Sequence, residues 1–401
     1  MTELRHLVFS GGGPVLLQIL GSLDTLIRTN RIHPQTIQSM WATSSGAIAA
    51  ILLCILIHSS VPAATLQATT AATVTWNLAA WETICNYVID RPWQTVFRVS
   101  IHAIFDAYSK KGIYDSNTFQ TCFAPIFQAH SIPIDISLQD FYDNIAPVDL
   151  HMFAFDTNAY ELVDISRTSY PDIPVLQALQ MTCGIPILIS PVFVDTRCFI
   201  DGGLSCNCPL TWCLSQLSAV DLPTGKSQLR ESKVDLPTGK SQLRESKVDL
   251  PTGKAHLRES KVDLPTGKSQ LRESKVDLPT GKAHLRESKV GLRESKDETE
   301  ENVLVFKNSY LASAPASAPE QTHENIIHSQ STIVDFLLSF LFKSIFRIST
   351  EHLQPTIPHE IINRTQHMSL RQMQDAISSA IVRKELFSAG QAAAAAADKT
   401  I

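Results

Sequence analysis

Three short motifs hold the residues whose types suit acyl-transfer chemistry: a glycine run after Ser10, a serine at position 44, and an Asp-Gly-Gly triplet from Asp201. Ser44 lies between small residues, shortly before the apolar run Ala47–Ile57. A strand that turns sharply into a buried helix would expose the serine hydroxyl at the helix N-terminus, where backbone N–H groups favour negative charge. The spacing predicts a nucleophile elbow of the G-x-S-x-G type, with Ala42 in place of the first glycine and Gly46 as the second.

The glycine run supplies the second part of such a site. Leu7–Phe9 reads as a short buried strand that leads, through Ser10, into Gly11, Gly12 and Gly13. Consecutive glycines allow the backbone to approach a ligand closely, and their free N–H groups can stabilise an oxyanion. We therefore predict Gly11, Gly12 and Gly13 as the oxyanion hole.

A carboxylate follows another predicted strand. Phe199 and Ile200 precede Asp201, Gly202 and Gly203, so we expect Asp201 at the C-terminal edge of a parallel sheet. Taken alone, an aspartate here is typical of a turn that opens a hairpin. The order of the three motifs favours a catalytic role instead. We predict that Asn207 and Pro209, a few residues further on, shape the Asp201 loop.

In this order the motifs resemble the patatin-like phospholipases, which use a Ser–Asp dyad without a histidine. Lys110–Asp115 and Gly184–Pro186 are further landmarks of that family. Arg91–Trp93 and Leu304–Asn308 resemble most closely the compact members encoded by large DNA viruses. The resemblance covers roughly residues 4–218 and 300–385.

The resemblance implies an α/β three-layer sandwich, with a mostly parallel central sheet and helices on both faces. It implies a phospholipase A-type acyl hydrolase that works through an acyl-enzyme, without metal or cofactor, on a phospholipid or other lipid ester at a membrane surface. Ala42 and Val15 depart from the family pattern, because many members carry a glycine and a basic residue there. Two alternatives stay open: a catalytically impaired lipid-binding or scaffold protein, and a histidine-dependent serine esterase.

Tandem repetition interrupts the predicted hydrolase. Residues 220–289 are five near-identical 14-residue units of the form VDLPTGKSQLRESK, and a truncated unit ends at Lys296. Each unit combines proline, glycine and few apolar residues, which cannot offset the entropy of ordering, so we predict a disordered loop. The predicted organisation is a hydrolase core at 1–219 and 297–390, a repeat insert at 220–296 and an alanine-rich tail at 391–401.

The charge and hydropathy of the chain limit the classes of protein to which it can belong. The insert carries 17 basic and 11 acidic residues, which leaves −11 on the remainder of a chain with net charge −5. The negative net charge of the predicted hydrolase argues against nucleic-acid binding. Eight cysteines without C-x-x-C pairs indicate reduced thiols. Because the first strand begins almost at once and no apolar run reaches the ~20 residues of a membrane span, we expect a cytoplasmic protein (host cytoplasm if viral) that contacts membranes peripherally.

Hydrophobic periodicity places further elements around the motifs. We predict helices at Val15–Thr29 and Val175–Met181, and a helical segment at Trp81–Phe105 that breaks at Pro92. The strand into the elbow is predicted at Ile37–Trp41. Later in the chain we predict an amphipathic helix at Thr332–Ile348, packed on the core or facing a membrane, and a last helix at Ser369–Phe387 that Gly390 ends.

Overall fold

The computed structural model of the 401-residue chain describes residues 3–60, 74–98, 109–220, 300–310, 354–365 and 370–397. These residues belong to one compact unit. The helix predicted at Thr332–Ile348 lies outside them, as does the predicted repeat insert apart from Val220.

The central sheet of the described residues is mostly parallel, as predicted. Its eight strands have the order β10-β9-β1-β2-β4-β8-β7, with β5 paired to β4, while β3 and β6 form a separate parallel pair. The five strands from β10 to β4 run in one direction. In chain order the strands are β1 (His6–Phe9), β2 (Ser39–Thr43), β3 (Gly112–Tyr114), β4 (Asp149–Asp156), β5 (Glu161–Ile165), β6 (Ile187–Ile189), β7 (Val192–Val194), β8 (Arg197–Asp201), β9 (Val303–Tyr310) and β10 (His359–Thr365).

Helices cover both faces of this sheet, which confirms the three-layer architecture. Successive strand residues point to opposite faces, so Phe9 packs into the larger core cluster and Val8 packs with Leu210 on the other side. The described helices are α1 (Leu16–Arg28), α2 (Ser45–Ser60), α3 (Leu78–Asp90), α4 (Ser116–Ala129), α5 (Leu138–Asn144), α6 (Val175–Thr182), α7 (Leu210–Val220), α8 (Leu370–Ser378) and α9 (Ala380–Ala397). None of the helices in these ranges has both the length and the apolar composition to cross a bilayer.

Strand β2 and helix α2 form the centre of the core. Every β2 residue is buried, and so are residues 45–47 and 49–57 of α2, whose apolar side chains surround the helix on all sides. The strand starts two residues later than the predicted Ile37, because its pairing with both β1 and β4 begins at Ser39. This shift carries the strand to Thr43, directly before Ser44.

Strand β4 forms the junction on which the site is built. Its first five residues pair with β2, which ends at Thr43 opposite Phe153. Because β5 occupies the other edge, β8 continues along the edge that β2 leaves and ends at Asp201 opposite Ala154. The ends of β2 and β8 therefore meet at two adjacent residues of β4. Asp201 therefore lies beside the C-terminal end of the parallel strand β2, where the sequence predicts it, although its own strand β8 runs antiparallel to β4.

Helices α1 and α9 cross in direct backbone contact. A Cβ atom on Gly390 would lie 1.9 Å from the Gln18 carbonyl oxygen, and one on Gly21 would lie 1.9 Å from the Phe387 carbonyl oxygen. The Ser22 hydroxyl donates to the Gly390 carbonyl at 2.9 Å. The prediction that Gly390 ends the last helix is therefore wrong, since it is a packing residue inside α9. Residues 391–397, predicted as a tail, continue the same helix.

Candidate active site

Ser44 occupies a strained turn between β2 and α2. Its φ angle is 52°, a left-handed conformation that costs an L-residue about 1–2 kcal/mol. Its backbone N–H donates to Thr182 Oγ1 at 2.9 Å, and the Thr182 hydroxyl donates in turn to the Phe153 carbonyl at 2.5 Å. The Ser44 carbonyl accepts from the Ala47 N–H in the first turn of α2. The turn thus has the sharp form that the sequence predicts for an elbow.

Asp201 lies within hydrogen-bond distance of Ser44. The Ser44 hydroxyl donates to Asp201 Oδ2 at 2.7 Å, and the Gly203 N–H donates to Oδ1 at 2.7 Å. Both side chains are buried, with exposed fractions of 7% for Ser44 and 4% for Asp201. The two residues are 157 positions apart in the chain, and the junction on β4 brings them together. A carboxylate at this distance can accept the serine proton.

Burial raises the pKa of two acidic groups next to Ser44. Removal from water raises the pKa of Asp201 to about 6, although the Ser44 hydroxyl and the Gly203 N–H both favour the charged form. Asp201 is therefore ionised at neutral pH yet more basic than an exposed aspartate. Burial, and then the Asp201 charge, raise the pKa of the Cys183 thiol well above its usual value, so this thiol stays protonated beside Ser44.

The glycine run lies against Ser44, and only some of its N–H groups are available to bind an oxyanion. The Gly11 N–H donates to the Asn207 carbonyl at 2.9 Å, which removes one of the three predicted oxyanion donors. Among the described residues, the N–H groups of Gly12 and Gly13 have no acceptor. Both residues have positive φ angles, 152° and 54°, which a residue with a side chain rarely adopts. Two neighbouring donors therefore remain open.

The predicted supporting residues lie around this centre. Ala42 is buried in regular strand pairing between Phe9 and Met152, so its methyl group is accommodated without distortion. A Cβ on Gly46 would lie 2.7 Å from the Phe9 carbonyl oxygen, which shows how closely α2 approaches the end of β1. Gly202 similarly faces the Phe153 carbonyl. Pro209 is buried before α7, where its carbonyl accepts from the Cys213 N–H.

An apolar cavity of about 280 Å³ opens beside Ser44. Gly13, Ser44 and Ser45 border it, and its walls come from aromatic and aliphatic side chains on α1–α4 and β6 and around the 3-10 turn Trp93–Thr95. A cavity with this lining suits a hydrocarbon chain. The predicted helical segment from Trp81 therefore contributes to the cavity wall through Val88 and Trp93.

Arg383 closes another part of the cavity wall, and no described carboxylate forms an ion pair with it. Its guanidinium donates to four backbone carbonyls, those of Ile89, Arg91, Ala376 and Ile377. These carbonyls lie at the ends of α3 and α8, where helices leave acceptors unpaired. Burial lowers the pKa of Arg383. The side chain therefore joins three helices behind the cavity, a role that a single Arg in a helical pattern does not reveal.

Three of the described histidines hydrogen-bond to residues away from Ser44 and Asp201. His151 hydrogen-bonds to Asp164, His6 to Ser39 and His130 to Ser59. No described histidine hydrogen-bonds to Ser44 or Asp201, and no group of three or more possible metal ligands occurs in the described ranges. No disulfide joins any two of the eight cysteines, all of which lie within the described residues.

Two residues of this site were not predicted from the sequence. Thr182 accepts the hydrogen bond from the Ser44 N–H through its hydroxyl oxygen. In the sequence it is only a polar residue at the end of a predicted helix. Asn308 belongs to the predicted landmark Leu304–Asn308, but no role was assigned to it. Its side-chain N–H₂ group donates to the Gly11 carbonyl, as does that of Asn207. An asparagine two positions after four consecutive apolar strand residues, with Lys307 between, was the available signal.

The comparison with protein-family models agrees with the sequence motifs. The model of the family described as patatin-like phospholipase matches residues 7–212, just over half of the chain. No curated protein shows significant similarity to the chain. The structure of VipD from Legionella pneumophila is 13% identical, with 97% of this chain and 67% of that chain covered and a TM-score of 0.33. The structure of the type III effector protein ExoU is 11% identical with a TM-score of 0.26; 98% of this chain aligns, over only 54% of the ExoU chain.

Proposed function

The chain belongs to the patatin-like phospholipase family, and on that premise we propose that it is a phospholipase A-type lipid acyl hydrolase with a Ser44–Asp201 dyad. The hydrogen bond from the Ser44 hydroxyl to Asp201 Oδ2, at the border of an apolar cavity, is the observation that carries this proposal. The cavity supplies a place for one acyl chain, and the dyad supplies a nucleophile at its border.

The proposed reaction has two steps. Ser44 Oγ attacks the ester carbonyl while Asp201 takes the hydroxyl proton, and the N–H groups of Gly12 and Gly13 stabilise the oxyanion. The leaving alcohol then takes a proton from Asp201. In the second step water attacks the acyl-enzyme with the same assistance from Asp201, and the fatty acid leaves. The strained elbow and the N-terminus of α2 keep Ser44 Oγ oriented and favour negative charge near it.

Lipid hydrolysis by the purified chain tests the proposal directly. We expect release of fatty acid from phospholipid vesicles or micelles, with the products identified by mass spectrometry. Lipids with a different acyl chain at each position distinguish the two ester bonds, and Ser44→Ala serves as the inactive control. Vesicle binding without any fatty acid release would favour the lipid-binding alternative, in which Ala42 and Val15 mark a loss of activity.

The pH profile provides a separate test of Asp201 as the base. Because burial raises the pKa of Asp201 to about 6 and only the ionised form can accept a proton, activity should appear as the pH rises through this value. We expect kcat/KM on a soluble ester to increase about tenfold per pH unit below pH 6 and to level off above it. A profile with no inflection between pH 5 and 7 would contradict the role of Asp201.

A further inference from the structure

The carbonyl group of Gly11 accepts two side-chain amides. Asn207, from the loop after β8, donates through Nδ2 at 3.1 Å, and Asn308, in β9, donates through its own Nδ2. Both asparagines are buried, with exposed fractions of 5% and 7%. Two residues a hundred positions apart thus fix the orientation of one peptide group in the glycine run.

That peptide group also contains the Gly12 N–H. A trans peptide is planar, and its C=O and N–H point in opposite directions. Holding the Gly11 oxygen therefore turns the Gly12 N–H away from the two asparagines. Gly13 and Ser44, on either side of this region, both border the cavity, and the Gly12 N–H has no acceptor among the described residues.

We propose that Asn308, together with Asn207, is a positioning residue that directs the Gly12 N–H at the oxyanion. This inference rests on the proposed function, since it deepens the account of the same site. Asn308 touches no reacting atom, and its effect passes through the Gly11–Gly12 peptide. An oxyanion donor contributes only when its hydrogen is directed at the developing charge, so a peptide that can rotate loses that contribution.

The neighbouring strand offers a matched control. Asn363 in β10 pairs in register with Asn308 and is fully buried. The Asn363 Oδ1 atom accepts a hydrogen bond from the Ser22 hydroxyl at 3.4 Å. Ser22 belongs to α1 and lies outside the glycine run. Asn308→Leu and Asn363→Leu therefore remove equivalent buried amides from adjacent strands, but only the first change frees the Gly11 carbonyl.

The test compares the two variants in turnover and in affinity for a transition-state analogue, a trifluoromethyl ketone that forms a tetrahedral adduct with a serine. For Asn308→Leu we expect kcat to fall about 100-fold, with KM within about threefold, because a donor that acts in the transition state is misdirected. The inhibition constant should rise by a similar factor. Asn363→Leu should keep kcat and the inhibition constant within about threefold, even if its melting temperature falls equally.

Two other variants distinguish a failure to fold, a wrong role for Asn308 and a wrong proposed function. If Asn308→Leu does not fold, Asn308→Ala removes the amide donor without adding bulk, and the same loss in kcat is expected. Full kcat in either folded variant, with an inactive Ser44→Ala, would overturn the role of Asn308 alone. Full activity of Ser44→Ala would overturn the proposed function and this inference together. Equal losses of kcat in Asn308→Leu and Asn363→Leu would overturn the inference and leave the proposed function intact.

Discussion

Ser44→Ala and Asp201→Asn are each expected to lower kcat/KM on a soluble ester by about 10³-fold or more. The hydrogen bond between the two side chains makes them one catalytic unit, because the serine is a weak nucleophile until its proton is accepted. For the same reason the double variant should be no less active than either single variant. Initial rates with the same ester, measured above pH 7, provide the comparison.

Folding stability separates loss of chemistry from loss of structure in Asp201→Asn. Burial raises the pKa of Asp201 in the folded state above the usual value near 3.8. The protonated form is therefore the one that favours folding, and this contribution is lost as the pH rises through about 6. Asparagine is never charged, so the melting temperature of Asp201→Asn at pH 7.5 should equal or exceed that of the native chain. At pH 4 the difference should shrink.

Histidine replacement tests the remaining mechanistic alternative. His359 is the one histidine after Asp201 within the described residues, and its two ring nitrogens have no hydrogen-bond partner there. We expect His359→Gln to retain activity within a few-fold of the native value, and the same of variants at positions 323, 328, 352 and 367. A histidine variant as inactive as Ser44→Ala would establish a triad and exclude the dyad.

Gly390→Ala is expected to destabilise the fold by about 3 kcal/mol or more. Helix propensity alone predicts the opposite sign, since alanine is favoured over glycine by about 1 kcal/mol in a helix interior. The added Cβ would lie 1.9 Å from the Gln18 carbonyl oxygen, so α1 and α9 must separate along their whole contact. We expect the steric cost to exceed the gain in propensity and the melting temperature to fall by about 5 °C or more.

Ser388→Ala provides the control for this change. Ser388 is exposed on the same helix, two residues before Gly390. Its replacement should change the free energy of unfolding by no more than about 0.5 kcal/mol. If Gly390→Ala were as stable as this control in thermal or urea unfolding, the close crossing of α1 and α9 would be incorrect.

Elements with a strong local pattern could be predicted from the sequence. Leu7–Phe9 is an apolar run followed by turn residues, and Val175–Met181 has helical periodicity; both elements occur within one residue of their predicted bounds. The fold class was implied by the family resemblance of the motifs. Gly390 was misinterpreted because a glycine near a helix end is typical of a C-terminal cap, and only the partner helix reveals its packing role.

Long-range pairing explains what could not be predicted. The pairing of β8 with β4 depends on which part of a β4 edge is left free by β2 and β5, and no local pattern records that edge. The bonds from Thr182 to the elbow and from Asn308 to Gly11 likewise join residues that are distant in sequence. The residue types of Ser44, Asp201 and the glycine run indicated the chemistry, whereas their supporting partners depend on the assembled sheet.

The position of the repeat insert between Asn207 and Asn308 has an evolutionary consequence. Strand β9, which follows the insert, is held on both edges, by β1 and by β10, and its register therefore sets the place of Asn308. Each repeat comprises 14 residues, and hence 14 codons, so the gain or loss of whole units would leave the reading frame unchanged. Chains that differ only in the number of whole units are therefore expected to share one active-site geometry.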